Sequence, residues 1–118
     1  INLIPFFLVP LIAKFLTYNS IKIKRPVIRL ADFIKENNIS NIKLLKIDCE
    51  GEEINVLKGL KEENFKTIDQ IIMEVFDINN NINVAIEILK KNKFRKIKVE
   101  EEKGFEGSNL VNIIASKT

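Results

Sequence analysis

Two periods of hydrophobicity alternate along this chain, and the switches between them outline a layered α/β domain. Residues 22–30, Lys-Ile-Lys-Arg-Pro-Val-Ile-Arg-Leu, have extended character, because Pro26 drives the residue before it out of helical space and β-branched residues follow. Leu30, Phe33 and Ile34 then recur at helical spacing, with Asp32 near the start and Asn37-Asn38 as the stop. Ile42 to Asp48 is a mostly apolar run of strand length, of the kind buried on both faces of a parallel sheet. Helix character resumes at Glu50, with Ile54, Leu57 and Leu60 one turn apart and Gly59 close to the end. Ile68 to Phe76 is a second apolar strand, and Ile82, Ala85, Ile86 and Leu89 outline an amphipathic helix from Asn80. Phe94 to Glu100 and Leu110 to Ala115 close the chain as an antiparallel pair, around a loop holding Gly104, Gly107 and Ser108.

The order is therefore β-α-β-α-β-α-β-β, and strands that alternate with helices specify an α/β layered sheet. Ligands of such sheets bind outside the carboxyl ends of the strands. Two successive expected strands end in acids there: Asp48 with Glu50, and Glu74 with Asp77.

Composition narrows the function classes. With 118 residues, 46% hydrophobic and 30% charged, the chain has the makings of a real core and the size of one domain or part of one. Its formal net charge of +3 is mild, and Lys and Glu mingle in Lys58-Gly59-Leu60-Lys61-Glu62-Glu63, which reads as a solvated helix surface. The three arginines, Arg25, Arg29 and Arg95, are isolated, so no nucleic-acid partner is assigned. Cys49 is the single cysteine; an intrachain disulfide is excluded, and a reducing, cytoplasmic setting is the simpler expectation. No histidine is present, which removes Ser-His and Cys-His catalysis and leaves acid/base chemistry to Asp, Glu, Lys or Tyr.

Ile1 to Leu16 is strongly apolar, but Pro5 and Pro10 interrupt it and Lys14 breaks the run, short of the roughly 20 apolar residues that a spanning helix needs. A membrane role is disfavoured. Because the chain opens on Ile1 and turns apolar at once, residues 1–25 are expected to be a lead or linker to an upstream segment, and 26–118 the body of a domain.

The chemistry concentrates in Lys46-Ile47-Asp48-Cys49-Glu50-Gly51-Glu52-Glu53, between the first central strand and its helix. One reading is structural: acids in a first helical turn answer the helix dipole and cap free N–H groups, and Gly51 permits a tight turn. The other is a functional carboxylate cluster. Asp48 separates them best, since it ends a strand before the helix begins. Cys49 is read as a small buried apolar side chain, because this acidic turn offers no basic neighbour to make a thiolate.

The run Leu44-Leu45-Lys46-Ile47-Asp48-Cys49-Glu50-Gly51-Glu52-Glu53-Ile54-Asn55-Val56-Leu57-Lys58-Gly59 closely resembles the signature of FkbM-type methyltransferases, a Lys-x-Asp-x-Glu-Gly-x-Glu core followed by Val-Leu-x-Gly. Leu30-Ala31-Asp32-Phe33-Ile34 resembles the family's Leu-Asp-Asp helix start, and Ile72-Met73-Glu74-Val75-Phe76-Asp77 its Val-Glu-x-His-Asp strand end. Asn109 to Ala115 is similar to its last strand, so the resemblance runs from about Val27 to Ser116. Phe76 stands where many relatives have His, and Ala31 where the pattern has its first acid.

The resemblance implies a Rossmann-like class I methyltransferase fold. This chain would supply its C-terminal half, with central parallel strands and a terminal antiparallel pair. It further implies S-adenosylmethionine as cofactor and methylation of a hydroxyl on a sugar, polyketide, peptide or related small-molecule acceptor. The family's glycine-rich cofactor turn would precede this segment, since none of the four glycines lies in a Gly-x-Gly arrangement. On that basis Asp48 is expected near the transferring methyl group, as both catalytic and cofactor-binding residue, and Glu74 is expected to face the acceptor as the second catalytic group. Lys46, Glu50, Gly51, Glu53 and Asp77 would shape the site or contact substrate, with Lys46 paired to an acid, and no metal is assigned. A homo-oligomer is compatible with the sequence. The competing expectation is a non-catalytic α/β interaction module whose acidic turn only caps a helix.

Overall fold

The structure, a computed structural model, describes residues 22–101, 104 and 107–118. The expected apolar lead, Ile1 to Leu16, lies outside these residues. Four helices and four strands follow in the order α1 (Leu30–Glu36), β1 (Ile42–Ile47), α2 (Glu53–Lys58), α3 (Glu62–Thr67), β2 (Ile68–Phe76), α4 (Asn81–Lys91), β3 (Lys96–Glu101) and β4 (Leu110–Ser116). The strands form one mixed sheet in the order β1-β2-β4-β3. β1 and β2 are parallel, with Ile42 opposite Ile68 and Ile47 opposite Met73, as a helical crossover between them requires. β4 runs antiparallel to both neighbours, Glu74 lying opposite Asn112 and Asn112 opposite Glu100. The expected terminal antiparallel pair is therefore present, and β4 takes the inner place.

Two expectations are corrected. Residues 22–29 form no strand; all eight are exposed, Pro26 has no N–H to give to a ladder, and no described strand lies beside them. The helix expected from Glu50 begins at Glu53 and ends at Lys58 with Gly59 at its cap, and a second short helix, α3, follows that the pattern did not announce. Gly59 remains right-handed (φ −74°), and Leu60 and Lys61 leave the helical path before α3 starts. Asn64 Oδ1 then accepts from Lys61 N–H at 2.9 Å, which serves an otherwise orphaned donor and lets a six-residue helix begin there.

Alternation along β2 sends Ile71, Met73 and Val75 to one face, all within 1% of full burial. Ile113 and Ala115 of β4, Leu57 of α2, and Ala85 and Leu89 of α4 close on them with no exposed surface. Each fully buried Leu, Ile or Phe side chain contributes about 1.5–3 kcal/mol of transfer free energy, so this face carries most of the stability. Phe65 of α3 meets Phe94 edge to face, with ring centroids 6.4 Å apart. Helices α2, α3 and α4 all pack on β2, and Ile34 of α1 joins the same core. The opposite face carries Leu44, Lys46, Gln70 and Lys98, all exposed, with Ile72, Glu74, Asn112 and Ile114 half-buried between them, and no described element covers it.

Candidate active site

The site sits where β1 hands over to α2. Asp48 immediately follows the last β1 residue, and the chain must then reverse to lay α2 on the sheet. It does so through two consecutive left-handed residues, Glu50 (φ +52°) and Gly51 (φ +107°). An added Cβ at Gly51 would meet nothing within 4 Å, so glycine serves the backbone angle there rather than the space. Glu53 locks the turn from beneath. Its carboxylate oxygen Oε1 accepts the N–H groups of Cys49 at 2.9 Å and of Gly51 at 3.0 Å, and the residue is only 4% exposed. A carboxylate receiving two backbone N–H bonds is a charge-assisted clamp, and it stands in the first turn of α2, where negative charge also answers the helix dipole.

This clamp leaves Asp48, Cys49 and Glu50 pointing outward on a shaped loop; all three are exposed. Cys49 thus departs from the buried thiol expected of it: its backbone is tied down while its side chain is accessible. Lys46 Nζ lies 3.0 Å from Asp48 Oδ2, an ion pair two residues apart along one face of the sheet.

Register brings Glu74 to the same place. Because Ile47 lies opposite Met73 in the parallel pair, Asp48 and Glu74 are abreast, one residue further along each strand. The antiparallel ladders extend this line to Asn112 and Glu100, giving a polar row across all four strands on the uncovered face. Lys98 pairs with Glu100 at the far edge, as Lys46 pairs with Asp48 at the near one. Asn112 and Glu100 were not among the residues singled out from the sequence. The one signal for Asn112 is an amide inside the apolar strand Leu-Val-Asn-Ile-Ile, and its meaning depends on a long-range register.

Asp77 takes a different role. It lies past the end of β2, exposed, where its Oδ1 receives Ile82 N–H at 3.4 Å and its own N–H donates to Asn109 O at 2.8 Å. It fastens the start of α4 and the approach to β4 rather than joining the row. Among the described residues no group of three or more His, Cys, Asp or Glu is placed to hold a metal ion, and no helix is long and apolar enough to cross a membrane.

The geometry therefore offers two carboxylates abreast at the carboxyl ends of parallel strands, one of them on a turn held by a buried third. The family model described as the methyltransferase FkbM domain matches residues 11–106, most of the chain and all of this turn. The chain belongs to the FkbM methyltransferase family. It is 32% identical over 97 residues to the 31-O-demethyl-FK506 methyltransferase FkbM of Streptomyces tacrolimicus, which covers 82% of this chain and 37% of that relative. Methyltransferase 1 of Beauveria bassiana (strain ARSEF 2860) is 37% identical over 67 residues, covering 56% of this chain and 27% of its own length. Methyltransferase sdnD of Sordaria araneosa is 30% identical over 82 residues, 31% of that protein. The FkbM-family chain thus spans about a third of the length of the curated relatives it matches. No solved structure matches it significantly.

Proposed function

We propose that this chain forms the acceptor side of an S-adenosylmethionine-dependent O-methyltransferase site, in the later half of a Rossmann-like class I fold. The observation that carries this reading is the register that sets Asp48 and Glu74 side by side at the carboxyl ends of β1 and β2. The donor set fits the cofactor in charge: S-adenosylmethionine carries a positive sulfonium, and the exposed Asp48 carboxylate lies on a turn that Glu53 holds in place. When bound, the cofactor supplies the methyl group.

The chain's own residues then have distinct tasks. Asp48 orients the cofactor side of the site, and its carboxylate pairs with Lys46. Glu74, half-buried in the central strand, accepts the proton that the acceptor hydroxyl gives up as its oxygen becomes the nucleophile. The polar row around Glu74 aligns that hydroxyl, and alignment is the larger part of catalysing an in-line transfer. Glu50 and Gly51 shape the mouth of the site, with Glu50 presented to substrate by its left-handed backbone. The printed name of the Streptomyces relative, a 31-O-demethyl-FK506 methyltransferase, supports an oxygen acceptor on a small molecule. The rest of the cofactor cradle belongs, in this reading, to polypeptide preceding residue 26. The cytoplasm is the proposed compartment, in keeping with a single accessible thiol.

Asp48→Asn and Glu74→Gln in the intact enzyme test this. Each should lower turnover by about 10²–10⁴-fold, the usual contribution of a positioned acid/base group, with an unchanged thermal melt. Asp48→Asn should also weaken S-adenosylmethionine binding in calorimetry, whereas Glu74→Gln should leave it intact. Full turnover in Asp48→Asn would sink the assignment, and full turnover in Glu74→Gln would move the base elsewhere.

A further inference from the structure

A second feature lies at the other end of the sheet. The C-terminal ends of α2 and α4 and the start of α3 frame a groove of about 330 Å³, with Phe65 and Ile88 in its floor and Lys58, Lys66, Lys91 and Lys93 on its rim. Among the described residues Glu62 is the only acid that lines it. Lysines in the last turn of a helix ordinarily serve the helix dipole and its last free carbonyls. Here several of those carbonyls have other donors. Gly59 N–H donates to Asn55 O and Val56 O at the end of α2, at 2.9 and 3.2 Å. Asn92 serves Ile88 O twice at the end of α4, from its N–H at 3.1 Å and from Nδ2 at 2.8 Å. Lys117 Nζ donates to Phe65 O and Lys66 O at the end of α3, at 2.6 and 3.1 Å.

Of the four rim lysines, Lys66 alone forms a salt bridge among the described residues, to Glu62 at 2.9 Å. The cationic surplus is felt by its neighbours. The hydrogen bond and charge of Lys66 hold Glu62 below the usual carboxylate range, and Lys93 and Lys91 add to that pull. Burial pushes the Lys117 ammonium down, and repulsion from Lys93 lowers it further, against the attraction of Asp69.

We propose that this groove docks an acidic, partly apolar peptide segment of a partner protein. Its carboxylates meet Lys58, Lys91 and Lys93, and one apolar side chain rests on Ile88 above Phe65. Charge complementarity selects this occupant, and the sunken floor narrows it. A single-stranded nucleic acid needs open aromatic faces for its bases, but Phe65 is 3% exposed and set edge-on against Phe94. A membrane surface needs several large apolar side chains exposed together, whereas of those lining this groove Leu57, Leu60 and Phe65 are buried and Ile88 is half-buried. This docking site is independent of the methyl-transfer reading, since it lies away from Asp48 and Glu74.

Fluorescence anisotropy of the intact protein with a short labelled peptide alternating Glu and Leu tests the proposal. Saturable binding is expected, weakened about tenfold by the double variant Lys58→Glu, Lys93→Glu and weakened again by added salt, while turnover stays unchanged. If the charge reversal lowers the thermal melt, Lys58→Gln with Lys93→Gln replaces it, with a loss of about fivefold expected. Any of four results overturns the proposal: no binding of the Glu-Leu peptide; equal binding of a Glu-Ser peptide, which leaves the apolar floor unused; tighter binding to phosphatidylserine vesicles; or unchanged affinity in the variants. Self-association that the same variants abolish overturns it too, because the occupant would then be a second copy.

Discussion

The two ends of the sheet carry opposite charge and are built on opposite terms. At the carboxyl ends of β1 and β2 the backbone that carries the acids is held: Glu53 is buried against two backbone N–H groups and Gly51 takes a positive φ. At the other end, lysines ring a groove on flexible stems, and among the described residues only Lys66 of the four is tied, through an exposed pair with Glu62. Exposed ion pairs contribute little and are screened by salt, whereas a buried carboxylate that receives two donors is costly to disturb. The methyl transfer proposed for the acidic end demands a fixed backbone, and the recognition by charge proposed for the basic end tolerates mobile side chains.

The contrast can be broken at its rigid end first. Glu53→Ala strands the N–H groups of Cys49 and Gly51 and should destabilise the fold by about 2–4 kcal/mol, read as a lowered urea midpoint. Glu53→Gln retains an acceptor oxygen and should recover most of that loss. A midpoint unchanged by Glu53→Ala would show that the clamp adds nothing. Gly51→Ala comes next, at about 1–2 kcal/mol, because an alanine resists the left-handed backbone even where its methyl group has room. Since the turn carries Asp48, its turnover should fall further than its stability. A variant that loses stability alone would uncouple the turn from the site.

The smallest effect belongs to the basic end. Lys43 Nζ hydrogen-bonds Asp69 at 2.8 Å and holds its carboxyl below the ordinary range, against burial and with help from the charges of Lys43 and Lys117. A carboxyl lowered on folding stabilises the native state above its unfolded pKa, and that contribution fades as pH falls through the folded value. Asp69→Asn should therefore lower the melting temperature slightly at neutral pH, and the two proteins should converge as pH falls through the folded value. A large change at neutral pH would show that exposed pairs matter here more than the comparison allows.

How much of this was legible in advance follows from how far each feature reaches along the chain. Periodicity located β2 to the residue and the start of α4 within one, because both are long and strongly patterned. The run from Lys46 to Glu53 announced the acidic turn, since its carboxylates, its glycine and its strand end are neighbours in sequence. The short helix α3 escaped because its start depends on Asn64 reaching back to Lys61 across a non-helical backbone. The exposure of Cys49 is not legible in the sequence because burial is a property of packing: the Glu53 clamp holds its backbone and leaves its side chain outside. Residues 22–29 read as a strand from propensity, but a strand exists only beside another.

Local chemistry alone determined that this chain alternates strands and helices, that acids gather at the end of its first strand, and that disulfide and imidazole chemistry are excluded. Those are statements about residue types and short spacings, which the unfolded chain already contains. Tertiary structure decided which acids stand together. Glu74 joins Asp48 only through the parallel register, Asn112 joins Glu74 only because β4 inserts between β2 and β3, and Asp77 is drawn off to fasten α4. It also gathered lysines from three separate helix ends into one rim, since charge scattered along a chain becomes a surface only once packing has set the helices side by side.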